Sequence, residues 1–438
     1  MRIIADLHIH SKYSRAVSSE MLLENLDAWA DDKGIKVMGT GDFTHPEWVK
    51  EIKKKLEPAE SGLFKLKKEF KKKTIKGTEA NTRFMLTSEI SSIYSRDGRT
   101  RRVHNLVFAP SIKTIEKINK ELGRVGNLKS DGRPIIGIDS EDLLKLVLEA
   151  DERAVLIPAH AWTPWFSVFG SMSGFDSLEE CFGDYAKYIF AIETGLSSDP
   201  LMNRRVTALD KVALISNSDS HSLERIGREA NIFDCELSYD GIIEAIKSGI
   251  PHLNPPPSAR EGGKEGRFLE TIEFFPEEGK YHIDGHRLCG VAFMPKESKK
   301  HKLICPKCGS KLTIGVLHRV EELADRAENF KDALRVPFRN LVTLDQIIGE
   351  ALDLGPKTKS VFKEYEKLIK TFGSELNILM EADIQKIAVS SKVEIAEGVK
   401  RVREGRLKIK PGYDGEYGEI KIFDKKERER LAKQNSLF

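Results

Sequence analysis

The first half of the chain is a succession of short apolar runs that end in polar residues, with amphipathic stretches between them. The runs are RIIADLHIH (2–10), IKVMGTGDFTH (35–45), RFMLTSEIS (83–91), HNLVFAP (104–110), AVLIPAHAW (154–162), YIFAIETG (188–195) and VALISNSDSH (212–221). Their length and their content of Val, Ile and Phe predict β-strands. SSEMLLENLDAWADDKG (18–34) and DSEDLLKLVLEADE (139–152) carry the helical period instead, and Gly34 follows the first as a helix stop. Strands alternating with helices predict an α/β fold, either a parallel sheet or an α/β barrel.

The chemistry lies in how the runs end. Asp6, His8 and His10 are alternate residues, so on a strand they share a face and offer a set of ligands. Later runs close on Asp42, Glu89, His160, Glu193, Asp219 and His221, and His104 opens its own run. In α/β barrels the ligand site gathers at the C-terminal ends of the strands. One histidine there is as readily explained by a bond to a backbone carbonyl. The same placement repeated in run after run predicts a polynuclear metal site.

Composition narrows the class. A chain of 438 residues is expected to form roughly two or three domains. The formal charge of +3 does not announce nucleic acid. No long apolar run predicts a membrane span, and the first residues lack the apolar core of a signal peptide, so a cytoplasmic protein is expected. A charged fraction of 32%, rich in Lys and Glu, leans towards a thermophile. Five cysteines, two of them in CPKC, suggest metal rather than a disulfide framework.

Several stretches interrupt the alternation. A lysine-rich segment at about 50–76 reads as an inserted helical arm or as a solvated face. RDGRTRR (96–102) is a basic loop tip between two ligand-bearing runs, which makes Arg96, Arg99, Arg101 and Arg102 candidates for phosphate-backbone contact. NPPPSAREGGKEGR (about 254–266) reads as a linker and closes a first domain over 1–255. Residues 256–315 hold HIDGHRLCG and HKLICPKCGSKL, where Cys305 and Cys308 have knuckle spacing and Cys289 lies one short loop upstream. A structural zinc wants four ligands; His286 completes His286, Cys289, Cys305 and Cys308, with His282 and His301 as rivals. Cys181 and Cys235 read as core residues. Residues 316–430 read as mainly helical, with basic stretches such as KRVREGRLKIK (400–410) suited to a DNA backbone or simply to solvent. The tail (431–438) ends in KQNSLF, similar to a peptide that binds a sliding clamp (PCNA) through Gln434, Leu437 and Phe438.

The set DLHIH, Asp42, SEIS with Glu89, VHNLVF with His104, PAHAW with His160 and SNSDSH resembles the PHP family of metal-dependent phosphoesterases. The resemblance implies a distorted (β/α)7 barrel with two or three divalent metals, commonly zinc or manganese. One metal would take His8, His10, Glu89 and Asp219. A second would share Glu89 and take His104 and His160. A third would use His221 with ligands from the first two runs, Asp42 among them. His45 would stand in for the family's histidine where this chain has Phe43. The whole chain, with its Cys module, IGVLHRVEELADR and PGYDGEYGEIKIF, resembles the endonuclease Q family of archaea and some bacteria. That likeness implies nicking of DNA on the 5′ side of hypoxanthine, uracil, xanthine or an abasic site. Zinc is the expected barrel metal, with manganese or magnesium able to support activity.

Two neighbouring divalent ions can activate water and stabilise the leaving oxygen of a phosphodiester. Glu89, Asp219 and His160 would carry that chemistry, and Glu193 would act as a ligand or, preferably, orient a histidine. Reading one base usually means taking it out of the stack. AHAWTPWFSVFGSMSGF (159–175) directly follows the ligand His160. Trp162, Trp165, Phe166 and Phe169 offer stacking surfaces there, and Ser171 and Ser173 offer hydrogen bonds, or the loop simply packs on the barrel. The rival enzymes are a PHP phosphatase on a small ester and a DNA exonuclease. A DNA-binding subunit with a decayed metal centre is the non-enzyme alternative.

Overall fold

The computed structural model describes residues 1–251, 266–328, 330, 335–424 and 427–428. Strand Arg2–Asp6 lies at the centre of the main sheet, parallel to Val37–Gly39 on one side and antiparallel to Ala230–Asp234 on the other. Val37–Gly39 is in turn parallel to the long strand Arg83–Arg96, which folds back antiparallel onto Arg99–Ala109. Asp97 and Gly98 both take positive φ at this turn, which suits the right-handed twist of a tight hairpin. Val155–Pro158 pairs with Arg99–Ala109. Ala191–Glu193 and Ala213–Ile215 form a parallel pair of their own.

Alternate residues of eight strands meet in one apolar cluster: Ile3 and Ala5, Val37, Met85, Leu106 and Phe108, Val155 and Ile157, Ala191, Ala213 and Ile215, and Phe233. Helix Tyr239–Lys247 caps this cluster through Tyr239, Ile242, Ile243 and Ile246. The packing is barrel-like, but backbone hydrogen bonds do not close the ring among the described residues, so the expected (β/α)7 barrel is not formed as a continuous sheet. Side chains bridge the gap instead. The Asn231 amide donates to Ser216 O at 2.7 Å and accepts from Ser216 N at 2.9 Å, where a ladder would otherwise run. The strands on either side of this seam are three and five residues long.

The opposite faces of the strands pack on helices Leu23–Lys33, Ile112–Val125 and Ser140–Ala150. Gly34 takes φ +93° and its N–H caps Ala30 O, as a helix stop requires. The lysine-rich stretch at 50–76 is not a helical arm. Helix Pro46–Lys55 ends on schedule, strands Leu56–Pro58 and Phe64–Leu66 form a hairpin that extends the main sheet, and a single 3-10 turn, Lys68–Phe70, follows. Pro58 ends the first of these strands, and Gly62 (φ +70°) lies in the turn.

The linker expected at 254–266 falls almost wholly outside the described residues. After it, strand Arg267–Glu273 joins the main sheet beside Ala230–Asp234. A small module follows, with hairpin Asp284–His286/Val291–Phe293 and an apolar cluster of Val291, Cys305 and Leu312. That cluster is too small to fold a module without a staple. Helices Leu344–Leu352, Lys359–Phe372, Glu375–Met380, Ile384–Ser390 and Val393–Arg403 complete the chain and share the large apolar cluster of the first half. No helix among the described residues is long and apolar enough to cross a membrane.

Candidate metal centre

His8 and His10 follow strand Arg2–Asp6 and are fully buried. Each spends one ring nitrogen on a carboxylate behind it. His8 Nδ1 lies 3.1 Å from both Glu193 oxygens, and His10 Nδ1 lies 3.0 Å from Asp42 Oδ1. Both Nε2 atoms are therefore aimed at the same space, and neither has a hydrogen-bond partner there. Glu89 and Asp219 complete the group. His10 Nε2 lies 3.0 Å from Asp219 Oδ1 and 3.2 Å from Glu89 Oε2; His8 Nε2 lies 3.7 and 3.5 Å from the same atoms. Ligand atoms on a tetrahedral zinc with bonds of about 2.0–2.1 Å stand about 3.3 Å apart. Orphaned buried nitrogens at nearly that spacing fit a metal ion.

The other oxygen of Glu89 serves a second group. Glu89 Oε1 lies 2.6 Å from His104 Nδ1 and 3.0 Å from His160 Nε2. One carboxylate thus faces two sites, as a bridging ligand would. Burial alone would raise the Glu89 carboxyl, but His104, Arg133 and His8 hold it well below the usual range. Burial likewise works against Asp219, and His10 and His8 hold it low. The His8 imidazole is raised despite its burial because Glu193 and Glu89 flank it. His104 goes the other way: burial depresses it to about 4, so it is neutral and able to ligate.

The backbone at these positions is strained. Asp42, His160 and Asp219 have φ of 51°, 28° and 45°, a region that costs non-glycine residues about 1–3 kcal/mol. Glu193 has three partners and holds the site from behind. It faces His8, accepts from His160 N at 2.8 Å and accepts from the Asn217 amide at 2.9 Å. It therefore orients His8 and belongs to neither ligand group.

Other expected ligands stand elsewhere. Asp6 accepts from Ser218 N at 3.1 Å and Gly227 N at 2.9 Å, so it pins the loop that carries Asp219 rather than offering a ligand. Asp42 Oδ2 is taken by Ser11 N, Ser11 Oγ and Ser14 Oγ at 2.6–2.8 Å, which makes Asp42 a support for His10. His45 stacks on Tyr13 with ring centroids 4.3 Å apart. His221 stands 4.7 Å from the His10 ring, and its Nδ1 lies 2.8 Å from Asp219 O. Asp42, His45 and His221 are not gathered into a third group among the described residues.

In the small module His286, Cys289, Cys305 and Cys308 converge, with Cys308 Sγ 3.4 Å from His286 Nδ1. Ser310 holds the Cys308 thiol down at about 6, which favours the thiolate that a metal needs. Of the rival histidines, His301 stacks on Phe293 and His282 is buried outside the group. Cys181 and Cys235 are buried, and burial pushes their thiols up to about 12 and about 11.

The aromatic loop divides. Trp162 and Phe169 are buried against each other, and the Trp162 indole donates to Asn203 at 2.7 Å, so neither presents a stacking surface. Phe166 sits 4.8 Å from His104 of the second group, and Trp165 packs edge-on to Tyr281. Ser171 and Ser173 line a cavity of about 560 Å³ with Arg99, Arg101 and Arg319. Of the hairpin arginines, Arg96 is bound to Asp139 and to the Glu180 and Cys181 carbonyls. Arg101 donates to Gly174 O and lies over Phe175, and Arg102 lies over Phe166. Arg99 is exposed at the tip. In the helical part, Arg401 and Arg403 are held by Glu397 and by main-chain carbonyls. Gln434, Leu437 and Phe438 lie outside the described residues.

Three contributors escape a reading of the sequence. Ser11 and Ser14 cradle Asp42, and their only signal is proximity to DLHIH. Arg133 reaches Glu89 Oε2 at 3.1 Å from a loop, RPI, that no apolar run marks.

Comparison with known proteins adds to this geometry. Residues 343–406 match the family described as the MJ0043 C-terminal domain. The chain is 33% identical over 322 residues to an uncharacterised protein, MJ0043, of Methanocaldococcus jannaschii, a match that covers 69% of this chain and spans 38% of that relative's length. It is similar along its whole length to the crystal structure of the lesion-specific endonuclease PfuEndoQ from Pyrococcus furiosus, with a TM-score of 0.81, 31% identity and coverage of 100% of this chain and 99% of that one. A structure of endonuclease Q with a 27-mer duplex carrying an abasic lesion at the active site matches with a TM-score of 0.80 and 31% identity over 97% of both chains.

Proposed function

The chain belongs to the endonuclease Q family, and from that premise we propose that it is a DNA repair endonuclease. It would hydrolyse the phosphodiester bond on the 5′ side of a deaminated base (hypoxanthine, uracil or xanthine) or of an abasic site. The observation that carries this reading is Glu89, one buried carboxylate facing two groups of ligands with orphaned nitrogens beside it. The likeness to a relative held on an abasic duplex supports DNA as the substrate.

Divalent ions held by His8, His10, Glu89 and Asp219, and by Glu89, His104 and His160, would supply activation of water and neutralisation of charge on the phosphate. The chain's own residues prepare that setting. Glu193 and Asp42 lock the tautomers of His8 and His10 so that both present Nε2. Neutral His104 leaves a lone pair for ligation at neutral pH. Partly buried Phe166, whose ring lies 4.8 Å from that of His104, and the polar cavity lined by Ser171, Ser173 and Arg99 suit a base drawn from the helix. His286, Cys289, Cys305 and Cys308 would hold one structural zinc, because four protein ligands leave no open position. The tail is proposed as a sliding-clamp peptide through Gln434, Leu437 and Phe438.

The test uses end-labelled duplexes that carry one deoxyinosine, one deoxyuridine, one abasic site or no lesion. One nick 5′ to each lesion, with none on the undamaged duplex, is expected. Release of phosphate from a small ester without any nick would support the phosphatase reading instead.

A further inference from the structure

Arg133 stands where neither ligand group explains it. The segment Asp131–Pro134 is pinned from both sides. Gly132 N donates to Tyr13 O at 3.0 Å, Gly132 O accepts from Thr44 Oγ1 at 3.1 Å, and Pro134 O accepts from Ser91 N at 3.0 Å. Asp131 Oδ1 accepts from Arg133 N at 3.1 Å and from Arg15 N at 3.3 Å. A Cβ at Gly132 would sit 2.3 Å from both Asp42 Oδ2 and Ser14 Oγ, so only glycine lets the segment lie this close to the support of His10. The chain has built a rigid platform over the metal ligands, and Arg133 is what it presents.

The guanidinium donates from Nη1 to Glu89 Oε2 at 3.1 Å. A guanidinium has five N–H donors in a planar fork, and this is the one side-chain bond that Arg133 makes among the described residues. About a quarter of the side chain, 27%, is open to solvent, so Arg133 is within reach of a ligand from outside. Its charge reaches both ligand groups: Glu89 and Asp219 act on Arg133, and Arg133 acts on His104 and His221. Divalent ions at the two groups would add positive charge beside Arg133 and draw on the negative charge of Glu89 that now faces it. A cation held rigidly in that position needs another anion.

We propose that Arg133 is a catalytic residue that binds a non-bridging oxygen of the phosphodiester being cut and stabilises the negative charge that develops there. The inference rests on the phosphodiesterase reading above. A fork of donors held in advance at the place where charge develops is the arrangement that accelerates such reactions. Its role would be to grip the phosphate, while the ligand groups hold the metals.

The test compares wild type, R133A and R133K on a lesion duplex. Loss of a preorganised donor to a developing anion lowers kcat by about 100- to 1000-fold, and R133A is expected to fall in that range with metal content and thermal midpoint unchanged. R133K keeps the charge but loses the fork, so it should recover only part of the rate. Guanidinium ion added to R133A should restore activity, and ammonium should not. Binding gives an independent readout: replacing the scissile phosphate by a neutral methylphosphonate should weaken binding to wild type more than to R133A. Loss of metal or of thermal stability in R133A would overturn the proposal, because Arg133 would then merely hold Glu89. Equal methylphosphonate penalties in the two proteins would also overturn it. Wild-type nicking is the reference: its absence rejects the functional reading, whereas an R133A that nicks as fast as wild type rejects the role of Arg133 alone.

Discussion

His8 and His10 turn one ring nitrogen outward to a carboxylate and the other inward, and this separates two kinds of acid at the site. Asp219 and Glu89 face the inward nitrogens, whereas Asp42 and Glu193 hold the outward ones. Substitution should distinguish them. Asp42→Ala leaves every ligand atom in place and is expected to weaken metal affinity by about 10- to 100-fold, with activity restored by excess metal. Asp219→Ala removes a ligand, and excess metal should not rescue it. A metal titration of nicking for the two variants reads the difference. Residue types and strand-end placement were enough to single out His8, His10, Glu89, His104, His160 and Asp219, which the fold brings into two groups. The role of Asp42 was not legible, because whether a carboxylate ligates or supports depends on where its second oxygen points, and Ser11 and Ser14 decide that.

Below the site, Glu229 and Glu273 make a second, unrelated use of buried carboxyls. Burial raises both; Glu273 raises Glu229 further, and Glu273 itself, with Asp199 near it, is pushed up to about 8. The folded chain therefore keeps protons that the unfolded chain releases above the ordinary value of 4.5. Stability is then fully present below that value and declines as pH rises towards about 8. Glu273→Gln should flatten this decline in thermal midpoint across the interval. An unchanged slope would show that other groups set it.

At the scale of elements, the helix Val316–Leu323 braces the aromatic loop beside the metal ligands. Arg319 on that helix donates to Phe169 O and Phe175 O, each at 3.1 Å, and pairs with Asp176 at 2.5 Å. His318 anchors the helix by a 2.5 Å contact with Asp284 in the small module. The module thus reaches the aromatic loop through this helix and through Tyr281, which meets Trp165 edge-on. Arg319→Ala is expected to speed limited proteolysis between residues 166 and 176 and to slow nicking, with the metals retained. Runs and turns revealed the strands and the first helices here. The seam at Asn231 was not legible, because a side chain replaces a backbone ladder without altering any hydrophobic pattern. The hairpin at 56–66 was missed for a related reason: its strands are three residues long inside a lysine-rich stretch, and only Pro58 and Gly62 mark the turn.

Over the whole molecule, the helical part is fastened to the first half by a buried ion pair. Lys33 Nζ lies 2.6 Å from Glu375 Oε2, both about 3% exposed, and Tyr365 donates to the same carboxylate at 2.7 Å. Trp29 and Tyr365 flank the lysine. Lys33→Met strands a buried carboxylate and is expected to destabilise the fold by about 3–5 kcal/mol. Lys33→Met with Glu375→Gln should recover most of that, as read by thermal or urea unfolding. Sequence distance hid this contact, since nothing in either segment names its partner.

The measurement that tests the central claim most directly is incubation of a covalently closed circular duplex carrying one abasic site with the protein and a divalent metal. One nick per circle, 5′ to the lesion, abolished in Asp219→Ala and by a chelator, is the predicted result. A circle left intact while linear DNA is shortened from its ends would contradict it, because the same metal centre would then belong to an exonuclease.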